Sequence, residues 1–100
     1  YDEKEETLYQ EVSENEYLVS GRISLDDFNE LMDSHITAEN IDTLGGYIYG
    51  NLGHVPQAGE AIKTNDITLH VEEVFGRRIR KVRAKREAPI SLLGEDGYAD

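Results

Sequence analysis

The chain has 100 residues, 21 acidic and 10 basic, with no cysteine, no tryptophan and a formal net charge of -11. That length supports one compact domain burying roughly two thirds of its unfolded surface without help from a disulfide or metal. The missing cysteines exclude thiolate zinc sites, thiol nucleophiles and a disulfide framework, and no apolar run nears the roughly 18 residues of a membrane span.

Residues 1–7 read as an acidic linker. YDEKEE carries five charges and one aromatic, too little apolar material to hold it against a core. Residues 8–12, LYQEV, alternate like a strand, SENE is turn-forming, and Tyr17, Leu18 and Val19 form a second short strand ended by Gly21. These two elements are expected to make a hairpin. Leu25, Phe28, Leu31 and Met32 then recur at helical spacing. Ser24 is the expected N-cap, and Asp26 and Asp27 sit where the helix dipole favours negative charge.

In DTLGGYIYGNLG, Asp42 or Thr43 can cap a second helix carrying Leu44, Tyr47, Ile48 and Leu52, punctuated by Gly45, Gly46 and Gly50 and stopped by Gly53. Several glycines in one helix favour close backbone packing over a phosphate cradle. The spacing G-G-x-x-x-G-x-x-G matches neither the dinucleotide fingerprint nor a P-loop. Pro56 and Gly59 form a turn into a strand near Ala61 to Thr64, and Asn65-Asp66 turns the chain again. Ile67, Leu69 and Val71 alternate until Glu73 and Val74 break the phase, which predicts a bulge. Gly76 turns into RIRKVRAK, where Arg80, Val82 and Ala84 are expected on one face, Lys81, Arg83 and Lys85 on the exposed one, and Ile79 out of phase. The expected fold is α+β, ordered ββααβββ, two helices packed on one side of a mostly antiparallel sheet, with one domain over residues 8–87. Residues 88–100 read as a flexible tail whose end, GEDGYAD, is as polar as the chain's beginning.

The net charge divides by segment. Residues 1–76 hold 17 acids and 3 bases, residues 77–86 hold 7 bases and no acid, and residues 87–100 hold 4 acids. The basic block is Arg77, Arg78, Arg80, Lys81, Arg83, Lys85 and Arg86. A strand of this composition pairs well with a neighbour carrying Glu72 and Glu73, each opposite pair contributing about 0.2–1 kcal/mol. The acidity of the whole chain repels phosphate backbones, so no nucleic-acid partner is expected. The exposed face Lys81, Arg83 and Lys85 is the candidate docking surface.

Catalytic constellations are not in evidence. His35, His54 and His70 fall in a loop, a turn and a strand without a paired-ligand spacing, and no serine sits in a nucleophile elbow. Asp26, Asp27, Glu30 and Asp33 read as the wet side of a helix. No catalytic residue, no metal ligand and no required cofactor are assigned. The chain begins with Tyr1, and its single methionine, Met32, lies inside a helical pattern; an excised piece of a longer protein is the expectation.

Four blocks occur in order: G-R-I-S-L-D-D (Gly21 to Asp27), D-T-L-G-G (Asp42 to Gly46), P-x-x-G-E (Pro56 to Glu60) and G-R-R-I-R-K-V (Gly76 to Val82). Together they resemble the CorC/HlyC transporter-associated domain, the C-terminal module of bacterial membrane proteins built from a transmembrane segment, a pair of CBS domains and this domain. His54-Val55 before the proline departs from the family pattern. The resemblance makes Gly45, Gly46, Pro56 and Gly59 structural motif residues. It also implies a regulatory or docking role on the cytoplasmic side of the bacterial inner membrane in magnesium and cobalt efflux, for proteins also called haemolysin-like. Implied partners are the CBS and transmembrane domains of the parent chain, through which alone the membrane is reached, or a second copy of the domain as a homodimer. Its fold is grouped with FAD-binding domains, which makes a flavin or adenine-nucleotide sensor the alternative function. Tyr47, Tyr49 and Phe75 are the available stacking surfaces.

Overall fold

A computed structural model describes residues 8–87, so the expected linker and tail lie outside the described residues. The elements follow the expected order: strands β1 (Tyr9–Ser13) and β2 (Glu16–Ser20), helices α1 (Leu25–Met32) and α2 (Leu44–Leu52), then strands β3 (Ala61–Thr64), β4 (Ile67–Phe75) and β5 (Arg78–Arg86). Asn15 and Asn65 adopt left-handed backbone at the tips of the first hairpin and the β3–β4 turn. Asparagine tolerates that region better than most residues.

The strands form one antiparallel sheet in the order β1-β2-β5-β4-β3. The last strand is therefore central, inserted between the first hairpin and β4. One face of the sheet presents Val19, Ile67, Leu69, Val71, Val82 and Ala84 to Phe28, Met32, Leu44 and Ile48 of the helices, and all ten are buried. At about 25 cal/mol per Å² of apolar surface removed from water, this single core dominates the stabilisation.

Both helices carry their expected caps. The Ser24 hydroxyl accepts from the Asp27 N–H at 3.0 Å, and the Thr43 hydroxyl accepts from the Gly46 N–H at 3.1 Å. Of the two residues able to cap α2, Thr43 is the one used. Gly53 closes α2 with a φ of 76° and Asp33 closes α1 with a φ of 55°.

The bulge in β4 is present, and β5 carries a compensating one. Val71 faces Val82 and Glu73 faces Lys81, leaving Glu72 as an extra residue on β4; Glu73 to Val74 then spans Lys81 to Ile79, leaving Arg80 as an extra residue on β5. The second irregularity corrects the expected facing of the strand. Arg80 does not share the inner face with Val82 and Ala84; it is exposed with its guanidinium 5.9 Å from the Phe75 ring, and Ile79 takes the buried side.

Candidate functional site

Three of the four sequence blocks meet at one point, where both helices begin. Leu25 N–H donates to Asp42 O at 2.8 Å, and Leu44 N–H donates to Ile23 O at 3.0 Å. The two cap residues, Ser24 and Thr43, thus lie side by side as an antiparallel bridge. Gly45 N–H donates to Gly21 O at 2.9 Å and Gly21 N–H to Arg80 O at 3.0 Å, tying α2 to the loop before α1 and that loop to β5.

Glycine is required at two of these contacts. A Cβ on Gly21 would be driven into the Ile79 carbonyl, and one on Gly45 would come within 2.9 Å of Gly21 O. The packing reading of the α2 glycines therefore holds for Gly45. At Gly46 a Cβ would meet the Thr43 hydroxyl at 3.2 Å, while at Gly50 its nearest neighbour would be Ile41 at 3.7 Å, an ordinary contact. Packing does not demand glycine at Gly50, although glycine there costs the helix about 1 kcal/mol relative to alanine.

The fourth block forms its own brace. Pro56 is buried, Gly59 has a φ of 102° and donates its N–H to Val71 O, and Val71 N–H returns to Glu60 O. The Glu60 carboxylate accepts from the His54 ring at 2.6 Å and from the Gln57 N–H at 3.0 Å. These hydrogen bonds, His54 first, hold its pKa below the usual carboxylate value. His54, where the chain departs from the family pattern, thus has a structural partner.

Lys81, Arg83 and Lys85 do lie along the open face of β5, but they are not equivalent. Lys81 and Lys85 are exposed, whereas Arg83 is half-buried with Nε 3.0 Å from Glu72 and Nη1 2.9 Å from Glu16. Its charge is spent within the sheet. Hydrogen bonding from Ser13 and then from Arg83 lowers the Glu16 pKa, and the two carboxylates, Glu72 foremost, raise that of Arg83. At the end of β5, Arg86 binds both Asp66 oxygens at 3.0 and 2.8 Å and donates to the carbonyls of Met32 and Asp33. It thereby supplies the cation that the last turn of α1 lacks.

The opposite end of β5 differs. A groove of 840 Å³ opens between the Gly45, Gly46, Tyr49 and Gly50 face of α2, the Gly21-Arg22 loop, and Arg77 to Ile79, where the β4–β5 turn enters β5. Sequence reasoning missed this convergence. The available signal was a glycine followed by arginine in two separate blocks, Gly21-Arg22 and Gly76-Arg77. The stacking aromatics do not converge: Tyr49 borders this groove, Phe75 lines a different depression beside Tyr9, and the Tyr47 hydroxyl donates to Thr64. With Tyr47, Tyr49 and Phe75 dispersed, the described residues present no shared platform for a flavin ring and do not fit FAD. Among the described residues, no group of three His, Asp or Glu side chains could hold a metal ion.

Two helices on a five-stranded antiparallel sheet, locked by a reciprocal bridge at the helix starts, define an α+β module of the transporter-associated class. The family model for the CorC_HlyC transporter associated domain matches residues 10–88, and the chain belongs to that family. The magnesium and cobalt efflux protein CorC of Escherichia coli K12 is 33% identical over 85 residues, 85% of this chain and 29% of the relative. The UPF0053 protein YhdT of Bacillus subtilis is 33% identical over 88 residues, 88% of this chain and 19% of the relative. The chain spans less than a third of the length of these curated relatives. Among solved structures, a hemolysin domain from Enterococcus faecalis V583 superposes with a TM-score of 0.75 at 36% identity, covering 80% of this chain and 98% of that one. The transporter associated domain CorC_HlyC from Nitrosomonas europaea gives 0.77 at 27% identity, covering 82% and 99%.

Proposed function

We propose that this chain is a non-catalytic regulatory or docking domain of a CorC-type magnesium and cobalt efflux protein, acting from the cytoplasmic side of the bacterial inner membrane. The observation that carries the reading is what the family blocks do in the fold. Gly21, Gly45, Thr43, Pro56 and Gly59 serve backbone packing, capping and turns rather than presenting reactive groups. A module whose signature residues build shape acts through its surfaces. Its partners are the CBS and transmembrane domains of the parent chain, or a second copy of the domain. Of the basic face, Lys81 and Lys85 are the cations available for such contacts, with Arg83 fixing the strand between them.

The test compares metal efflux by the full-length parent with and without residues 8–87. Deletion is expected to alter transport or its response to cytoplasmic conditions, and unchanged transport and regulation would overturn the proposal. Replacing Lys81 and Lys85 together by glutamine in the parent is expected to reproduce part of the deletion phenotype while the isolated domain keeps its melting temperature.

A further inference from the structure

We propose that the groove between α2 and the β4–β5 turn binds a small phosphate-bearing molecule with one planar ring, of the mononucleotide class. Arg77 and Arg78 are the phosphate ligands, and Tyr49 is the ring contact.

The charge makes the first part of the case. In a chain of net charge -11, Arg77 in the β4–β5 turn and Arg78 at the start of β5 are adjacent, and among the described residues neither side chain makes a hydrogen bond or ion pair. Of the other arginines on β5, Arg83 and Arg86 are each paired with a carboxylate and Arg80 lies against Phe75. Both residues line the groove, and a phosphate dianion there accepts charge-assisted, fork-like hydrogen bonds from guanidinium groups.

The shape of the groove makes the second part. It lies at a junction of three chain segments, has a volume in the range of small-molecule sites, and is walled by Ile79 and the bare helix backbone at Gly46 and Gly50. Tyr49 stands on that wall and is 36% exposed, and a tyrosine ring at a site wall is a contact for a planar ring. The start of α2 is not the anion ligand, because Gly45 N–H is already given to Gly21 O and Gly46 N–H to the Thr43 hydroxyl. Recognition of the anion therefore falls to the arginines. Gly50 borders the groove at a position where internal packing would accept a methyl group.

Calorimetric titration of the 100-residue chain with AMP, inorganic phosphate and adenosine at low salt tests this, with amide shifts of Gly45, Gly46 and Gly50 followed by NMR. AMP is expected to bind with a Kd of about 0.1–1 mM, at least tenfold more tightly than phosphate or adenosine, and to shift the three glycine amides. Arg77→Gln and Arg78→Gln should each weaken AMP roughly tenfold, while Lys63→Gln, on β3 and outside the groove, should leave it unchanged. Gly50→Ala should raise the melting temperature by roughly 4 °C and weaken AMP, a pair of effects that loss of fold could not produce. No heat with millimolar AMP overturns the proposal. Equal losses in Arg78→Gln and Lys63→Gln overturn it as general charge attraction. Undiminished binding by Gly50→Ala removes the groove as the site, and phosphate binding as tightly as AMP removes the Tyr49 ring contact. Binding to phosphatidylglycerol vesicles without binding of AMP would assign the arginines to a lipid surface and overturn the proposal.

Discussion

The two ends of β5 carry similar residues and treat them in opposite ways. At the Arg86 end, both arginines are engaged by the fold while Lys85 stays exposed: Arg86 joins Asp66 to the last carbonyls of α1, and Arg83 joins Glu16 on β2 to Glu72 on β4. About 26 Å away along the strand, Arg77 and Arg78 border an open groove, and Arg80 lies against Phe75, which is 69% exposed. One end uses backbone and carboxylates to finish a sheet. The other uses glycine contacts to bring three chain segments together and leaves its charge facing outward. Composition sets how many cations a strand carries, and the register of its neighbours sets which of them remain available.

The largest effect expected from breaking this arrangement is at the glycine junction. Gly21→Ala forces a methyl group into the Ile79 carbonyl and should destabilise the domain by about 3 kcal/mol, measured by urea unfolding. Stability within 0.5 kcal/mol of the parent chain would mean that the junction is not tightly packed. Next is Arg86→Gln, which removes the tie to Asp66 and to α1; a loss of about 1–2 kcal/mol is expected, and neutrality would erase the contrast between the two ends.

A smaller effect is expected with acid. Glu16, Glu60 and Glu87 have lowered pKa values, through hydrogen bonds from Ser13 and Arg83, from His54 and Gln57, and from Thr68 and Lys63 respectively. A carboxylate whose folded pKa lies below its unfolded value stabilises above that unfolded value, near 4.5, and the contribution disappears as pH falls through the folded pKa. The melting temperature should thus stay level from neutral pH towards 5 and fall below about 4.5. Arg83→Gln should make the acid decline shallower, and an unchanged slope would remove Arg83 from the account of Glu16. The smallest effect is predicted for Arg78→Gln, exposed and without an internal partner among the described residues, which should stay within about 0.5 kcal/mol of the parent chain. A loss matching that of Arg86→Gln would show the outward charge to be structural.

Local signals in the chain marked its elements well because their causes are local. Ser24 before Leu25 could be read as a cap, Asp42 or Thr43 as that of α2, Gly53 as a helix stop, and the phase break at Glu73-Val74 as a bulge; the choice of Thr43 came from the structure. The facing of Arg80 could not be read that way. It depends on a second irregularity in β5 whose position is fixed only by pairing with Val74 and Glu73. The Lys81, Arg83 and Lys85 face was legible as a strip, but the engagement of Arg83 required knowing that Glu16, 67 positions earlier, lies on the adjacent strand.

The sequence alone therefore determined the order ββααβββ, the caps and turns, the concentration of base into residues 77–86 and the family blocks. All of these rest on interactions within a few residues, or on composition. Only the tertiary structure decided that β5 enters between β2 and β4, that the two helix starts bridge one another, and which arginines are neutralised. Those outcomes depend on contacts between residues distant in the chain. A segment's own hydrophobic pattern specifies which face it buries, but not which neighbour covers its edges.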